Sequence, residues 1–322
     1  MRTTLMPAAV IAAPRTFEIV EATKPEPKPE ELLVRLEGCG VCASNLDPWE
    51  GKPWFTYPME AGAPGHEGWG IVEEVGKSVT EFLPGDRVGF LSTHAFARYD
   101  IAHQQSVLKL HPRMDGWPFP AEPLGCAMNV FERSQIKKGS TVAIVGVGFL
   151  GAIVLRLAVT AGARVIAITR RRDGLEIAKQ YGAAVCVPME DHWKIIEEVK
   201  RITDGRLCDI VIEATGKQWP LDLSTEITAE RGKLIIAGYH QDGARQINMQ
   251  LWNWRGLDVI NAHERNPEIY VRGMKAALEA ITAGQLDPTL LYSHRYSLNE
   301  IGEAFETAAS RPTGFQKALI IF

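Results

Sequence analysis

The stretch Thr141-Val142-Ala143-Ile144-Val145-Gly146-Val147-Gly148-Phe149-Leu150-Gly151 constrains this chain more than any other. A short apolar run suits a strand covered on both faces of a parallel sheet. Here it passes straight into Gly-x-Gly-x-x-Gly and then into a helical pattern. Each glycine then has its own task. Gly146 permits the tight turn, Gly148 removes a Cβ from the path of a pyrophosphate, and Gly151 lets the helix pack closely. The turn through Val147, Phe149 and Leu150 offers backbone N–H groups and the positive end of a helix dipole to phosphate oxygens. Glycine spacing alone also fits a plain strand-to-helix turn. The strand before it and the helix after it favour a dinucleotide.

A second apolar strand, Arg164 to Ile168, follows a helix that ends at Ala161-Gly162-Ala163. In NAD-binding chains an acidic residue about 20 positions past the glycines grips the ribose 2′-hydroxyl. This chain has Thr169, Arg170, Arg171 and Arg172 in that region. A carboxylate would repel a 2′-phosphate, whereas a hydroxyl and guanidinium groups bind it. The expected cofactor is therefore NADP(H), ahead of NAD(H). The competing reading is a solvated basic turn at a helix start.

With 322 residues the chain has room for two domains. Its net charge of −4 leaves no basic footprint for nucleic acid. No apolar run approaches membrane-spanning length. The N-terminus, Met1 to Pro7, lacks the apolar region of an export signal, which predicts a cytoplasmic protein. The five cysteines are then expected as thiols or metal ligands rather than as a disulfide framework. Up to about residue 120, alternating segments such as Leu32 to Leu36 and Trp69 to Val75, with the turn Pro84-Gly85-Asp86, predict a β-rich domain. From Glu122 strands alternate with helices; Cys208 to Ala214, Gly232 to Gly238 and Leu257 to Ile260 are further buried strands. Ile269 to Gly284 and Leu298 to Ala309 read as amphipathic helices, and Lys317 to Phe322 as a last strand.

The chemistry lies in the first half. Cys39-Gly40-Val41-Cys42-Ala43-Ser44-Asn45 is followed by Gly65-His66-Glu67-Gly68-Trp69-Gly70 and later by Glu122-Pro123-Leu124. A thiolate, an imidazole and a carboxylate are a common zinc ligand set, and three protein ligands leave one position open. Taken singly, a cysteine reads as a small buried hydrophobe and a histidine as a hydrogen-bonded structural residue.

Together with Gly85-Asp86-Arg87-Val88 and the glycine fingerprint, these motifs resemble the zinc-dependent medium-chain dehydrogenase/reductase superfamily, the alcohol and polyol dehydrogenases, nearly end to end. The resemblance implies an α/β fold, with a Rossmann doubly wound parallel sheet inserted in a β-rich GroES-like catalytic domain. The expected boundaries are 1–123 and 264–322 for the catalytic domain and 124–263 for the NADP-binding domain. It implies one catalytic zinc on Cys42, His66 and Glu122, with Glu67 as an alternate ligand. It implies hydride transfer between NADP(H) and a small alcohol or carbonyl substrate. Ser44 would take the substrate proton and pass it outward through Asp47, whose other reading is a solvated loop carboxylate. Lys317 would reach the pyrophosphate or lie on the surface. A homodimer or homotetramer is expected.

Three departures stand out. Asn45 replaces a family aspartate that orients a ligand histidine; an amide can still accept that bond, without charge. The four-cysteine lobe for a structural zinc is missing between Val88 and Phe96, so one zinc per chain is expected. Cys126 lies one helical turn past Glu122 and competes with it as a ligand. Trp49, Trp54, Phe55, Tyr57 and Trp69 either line a pocket or build the core. The polar run Asn261 to Arg265 either reads substrate hydroxyls or forms an interface loop. Glu122 in the polyol pattern favours a polyol, a sugar or another hydroxylated substrate. The alternatives are a metal-free enone or quinone reductase of the same superfamily and a non-catalytic NADPH-binding protein.

Overall fold

The computed structural model describes residues 4–322; Met1, Arg2 and Thr3, part of the stretch read for an export signal, lie outside the described residues. The chain divides into two units. One takes the residues up to Gly125, then Asn266–Ala283 and Asp287–Phe322; the other takes Cys126–Arg265 and Gly284–Leu286.

The first unit opens with an antiparallel hairpin, β1 (Leu5–Ala13) and β2 (Thr16–Thr23). Then come β3 (Glu31–Gly40), the short helix α1 (Leu46–Glu50), β4 (Gly68–Val75), β5 (Arg87–Phe90), β6 (Tyr99–His103) and β7 (Val107–Lys109). Helix α2 (Ala121–Ser134) follows, with Glu122 in its first turn. Strand β3 is the hub of a seven-stranded sheet. β4 runs antiparallel along one of its edges. β6 pairs with Glu31 to Arg35 on the other, leaving the end of β3 to a later strand. The sequence suggests alternation for β3, but Leu32, Leu33, Val34 and Leu36 are all fully buried. A strand in mid-sheet with both faces covered has no solvent face to alternate towards.

The second unit alternates strictly: β8 (Thr141–Val145), α3 (Phe149–Thr160), β9 (Arg164–Thr169), α4 (Arg172–Gln180), β10 (Val185–Pro188), α5 (His192–Ile202), β11 (Cys208–Glu213), α6 (Gln218–Ile227), β12 (Thr228–Ile236), α7 (Met249–Arg255) and β13 (Asp258–Asn261). The strands form one parallel sheet in the order β10-β9-β8-β11-β12-β13. This is the doubly wound Rossmann order, which reverses between β8 and β11. Its core is aliphatic, with Ala143, Val145, Ile166, Ile168, Val211 and Leu234 among the buried side chains.

The tail returns to the first unit as α8 (Pro267–Thr282), β14 (His294–Ser297), α9 (Ile301–Ser310) and β15 (Ala318–Ile321). β15 pairs antiparallel with the end of β3, matching Leu319 to Gly40 and Ile320 to Cys39. Phe305 of α9 is fully buried and sits against Phe17, Trp49 and Phe96 at ring-centroid distances of 4.8, 5.8 and 5.6 Å. Trp49 is fully buried and Trp69 is 2% exposed, so both are core residues. Tyr57 packs against that core with its hydroxyl on the Pro48 carbonyl, while Trp54 is 62% exposed. Phe305→Ala should destabilise this unit by about 3–5 kcal/mol, the usual cost of removing a fully buried aromatic ring. The check is the shift of its urea unfolding midpoint.

Candidate active site

The pairing around β3 brings three strand ends together. Cys42 follows the end of β3, His66 and Glu67 precede β4, and Lys317 precedes β15. Two backbone bonds tie the ends: Gly40 N–H donates to the Glu67 carbonyl at 3.2 Å, and Val41 N–H to the Ala318 carbonyl at 2.9 Å. A Cβ on Gly40 would lie 1.8 Å from Glu67 Oε2 and 3.0 Å from Lys317 Cε, so only glycine leaves room for that side-chain pair.

The ligand-type atoms of Cys42, His66 and Glu67 all lie within 4.8 Å of one another. The expected set was Cys42, His66 and Glu122. Glu67, expected as the alternate, is the carboxylate found within that distance; Glu122 is not among the three. Adjacent in sequence to His66 and held at the sheet edge, Glu67 is carried into the cluster by the strand itself. Glu122 still acts on the cluster through its charge on His66 and on Lys317. Cys126 does not belong to the group.

Local hydrogen bonds fix the donors. His66 Nδ1 lies 2.9 Å from the Pro64 carbonyl, and donating there leaves Nε2 as the free lone pair. Asn45 lies beside the ring as expected, its Nδ2 3.2 Å from His66 Nδ1. Its Oδ1 accepts from Cys42 N–H at 3.0 Å, and its Nδ2 donates to the same Pro64 carbonyl at 3.0 Å. The amide orientation follows from its partners, since a carbonyl oxygen needs the NH₂ group opposite it. Asn45 thus pins the Cys42 turn to the loop that orients His66. Ser44 donates its hydroxyl to Cys42 Sγ at 3.2 Å, which puts an exchangeable proton beside the cluster. Asp47 is 8% exposed in the first turn of α1, so it is not a solvated loop carboxylate.

Lys317 is not a surface residue. It is 5% exposed, and its Nζ donates to Glu67 Oε1 at 2.5 Å, an ion pair in which Glu67 is fully buried. Lys317 immediately precedes β15, which pairs with the end of β3.

Two observations show that these residues fit a zinc ion. Glu67 Oε2 is buried with no hydrogen-bond partner. An unpaired buried acceptor costs about 1–3 kcal/mol, more when charged, and a cation would satisfy it. In addition, thiolate, imidazole and carboxylate are donors that zinc accepts. Electrostatics agree. Burial lowers the pKa of His66, but the Cys42 sulfur, through a hydrogen bond and its charge, and the charges of Glu122 and Glu67 outweigh it and push it up to about 10.

The second unit shows the dinucleotide features. Gly146 has φ +100°, the left-handed region that favours glycine. A Cβ on Gly151 would sit 2.0 Å from the Gly146 carbonyl oxygen, so the helix start closes onto the turn. A Cβ on Gly148 would meet nothing within 4 Å; protein packing does not require this glycine, and the open space in front of it suits a pyrophosphate. Val147 is buried, while Phe149 and Leu150 begin α3. Because Val145 pairs with Ile168, Thr169 comes level with Gly146. Arg170 is exposed, and Arg171 is the N-cap of α4 without a side-chain cap bond. The turn packs against α4, where a Cβ on Gly174 would lie 2.9 Å from the Val147 carbonyl and 3.0 Å from Thr169 Cγ2.

One buttress was not read from the sequence. Glu213 is fully buried at the end of β11 and accepts from Thr215 N–H at 2.7 Å, Thr215 Oγ1 at 2.5 Å, Gly216 N–H at 3.0 Å and His240 Nε2 at 3.0 Å. It fixes the Thr215 loop against Gly146, whose added Cβ would meet Thr215 Cγ2 at 2.5 Å. A single acid closing the apolar run Ile210-Val211-Ile212 was the available signal. In the polar run after β13, His263 stacks on Tyr239 with centroids 5.4 Å apart.

Comparison with known proteins gives a consistent picture. The family model described as zinc-binding dehydrogenase matches residues 150–279, and that of the alcohol dehydrogenase GroES-like domain matches residues 28–112. Sorbitol dehydrogenase of Bacillus subtilis is 27% identical over 336 residues, 94% of this chain and 93% of that protein. Erythritol/L-threitol dehydrogenase of Mycolicibacterium smegmatis is 27% identical over 365 residues, 98% of this chain and 97% of that protein. Among solved structures, a putative zinc-binding dehydrogenase from Sinorhizobium meliloti 1021, bound to NADP, superposes with a TM-score of 0.84 at 27% identity, covering 99% of both chains. No helix among the described residues is long and apolar enough to cross a membrane.

The raised pKa of His66 makes a measurable prediction. Its folded value stands above the ordinary 6.5, so the charged ring supports the metal-free fold below that pH, and the support is lost as pH rises towards 10. Zinc requires the neutral ring. Zinc uptake at pH 7.5 should therefore release the His66 proton, seen as a dependence of the calorimetric heat on buffer ionisation enthalpy. His66→Gln should abolish that release.

Proposed function

This chain belongs to the zinc-dependent medium-chain dehydrogenase/reductase superfamily, and from that premise we propose that it is a zinc-dependent, NADP(H)-linked enzyme acting on the CH–OH or carbonyl group of a polyol, a sugar or another hydroxylated compound. It is an oxidoreductase. The observation that carries the metal is the convergence of Cys42, His66 and Glu67, whose buried carboxylate keeps one oxygen without a hydrogen-bond partner. The sorbitol and erythritol/L-threitol dehydrogenases among its relatives support the polyol class.

Cys42, His66 and Glu67 would hold one zinc per chain, with Glu122 adding negative charge beside them. When bound, zinc supplies Lewis-acid polarisation of the substrate oxygen and the nicotinamide supplies the hydride acceptor or donor. The chain's own residues do the rest. The Pro64 carbonyl orients His66, and Asn45 holds the Cys42 turn. Ser44, already hydrogen-bonded inside the cluster, moves the substrate hydroxyl proton. Gly148 leaves the pyrophosphate its space. Thr169, Arg170 and Arg171 take the 2′-phosphate. Arginines at the start of α4 are unfavourable to the helix dipole, which itself suggests a role for an anion there.

Two experiments test this reading. NADP(H) absorbance should change with a panel of polyols, sugars and simple alcohols, activity should vanish on chelation, and zinc should restore it. In that assay Ser44→Ala should lower turnover by about 10²–10⁴-fold, the span of a general acid–base group, with zinc content unchanged. Normal turnover in the variant would remove Ser44 from the proton path. For the cofactor, Arg170→Ala should weaken NADPH binding by about 1.5–3 kcal/mol, the range of a charged hydrogen bond, and leave NADH binding nearly unchanged. Titration calorimetry showing equal losses for both cofactors would reject the assignment.

A further inference from the structure

The buried pair Lys317–Glu67 has no place in the chemistry above, although it lies inside the cluster. Its geometry is unusual. One Glu67 oxygen is committed to Lys317 at 2.5 Å, the other is buried without a hydrogen-bond partner, and the carboxylate lies within 4.8 Å of the ligand atoms of Cys42 and His66. Both side chains are out of water, at 5% and 0% exposure. The charges of Cys42 and Glu122 also act on the Lys317 ammonium. A single carboxylate is thus shared between a fixed protein cation and the position the zinc would take.

The charges can be counted. Cys42 as a thiolate, Glu67 and Glu122 bring three negative charges; a divalent ion and Lys317 bring three positive ones. Without the ion, Lys317 is the fixed cation left to support Glu67, and a buried carboxylate stripped of its partner is strongly destabilising. With the ion present, the same ammonium is a like charge at close quarters, and it draws electron density from the carboxylate that serves as a ligand.

We propose that Lys317 is a positioning residue that stands in for the metal: it keeps the metal-free site folded by holding Glu67, and in doing so it lowers the affinity of the site for zinc. This rests on the zinc reading above. The general magnitude is known, since groups that bond to metal ligands shift metal affinity by roughly 10–100-fold. Here the sign is reversed from the usual case, because the outer group is a cation competing for the ligand.

The test is zinc affinity by chelator competition, together with thermal unfolding with and without zinc, on the full chain. Lys317→Met should bind zinc about 10–100-fold more tightly than wild type, within the range over which outer groups act. Its melting temperature should fall sharply without zinc and much less with zinc, whereas a lysine that merely packs would lower both equally. In a Glu67→Gln background, Lys317→Met should tighten zinc binding much less, because the shared carboxylate is gone and only the direct repulsion is relieved. If Lys317→Met is not recovered folded, Lys317→Gln, polar but uncharged, carries the same test. Unchanged or weaker zinc binding in the Lys317 variants overturns the proposal, as does equal tightening in the Glu67→Gln background. Wild-type protein that takes up no zinc would overturn the metal reading itself and this inference with it.

Discussion

Strand β3 is the constraint on which the first unit depends. One of its edges is filled by β4, and its other edge is divided between β6 and β15. Its C-terminal end is therefore fixed from both sides, by the start of β4 and the start of β15. Residues distant in sequence meet there because the backbone ladder leaves them no alternative. Gly40 is where this is tightest: with no Cβ, the strand passes the Glu67 carboxylate and the Lys317 stem at a distance no other residue would allow. The site is thus a consequence of sheet register. Its donors sit just beyond strand ends, where the ladder fixes the backbone on either side and local hydrogen bonds such as that of His66 to the Pro64 carbonyl hold the side chains.

In the second unit the corresponding constraint is the turn after β8. Gly146 is pressed against the Thr215 loop, which the buried Glu213 holds through four hydrogen bonds. Gly151 closes the start of α3 onto Gly146, and Gly174 brings α4 against Val147 and Thr169. Gly148 alone faces open space. Three glycines are explained by contacts within the protein, and the fourth is explained by a ligand. That difference separates a nucleotide turn from an ordinary strand-to-helix turn.

Much of this was legible in the sequence, for reasons that can be stated. The buried parallel strands announce themselves as apolar runs, and the turn after β8 as glycines at fixed spacing, because both signals are local. Cys42 and His66 were visible as donor types in short motifs. The preference for Glu67 over Glu122, and the pairing with Lys317, were not. Glu67 and Lys317 are 250 residues apart in the chain, and their meeting depends on how β15 registers against β3. A lysine before an apolar strand reads equally as a surface residue until that register is known. The group that orients His66 was hidden for a different reason: it is the carbonyl of Pro64, and a backbone acceptor has no signature in residue identity. Trp49 and Trp69 show the limit of composition, since a pocket wall and a core have the same residue types and differ only in burial.

The Rossmann and GroES-like fold does not choose between a zinc enzyme and a metal-free reductase, since one fold carries many chemistries. The cluster at the end of β3 is what supports the zinc reading proposed above. Here Glu67 is fully buried, one of its oxygens lacks a partner, and the ring of His66 is driven to hold a proton by the anions around it. Such a group is costly for a fold to retain. Lys317 offsets part of that cost but leaves Oε2 without a hydrogen-bond partner, an acceptor that a bound cation would satisfy.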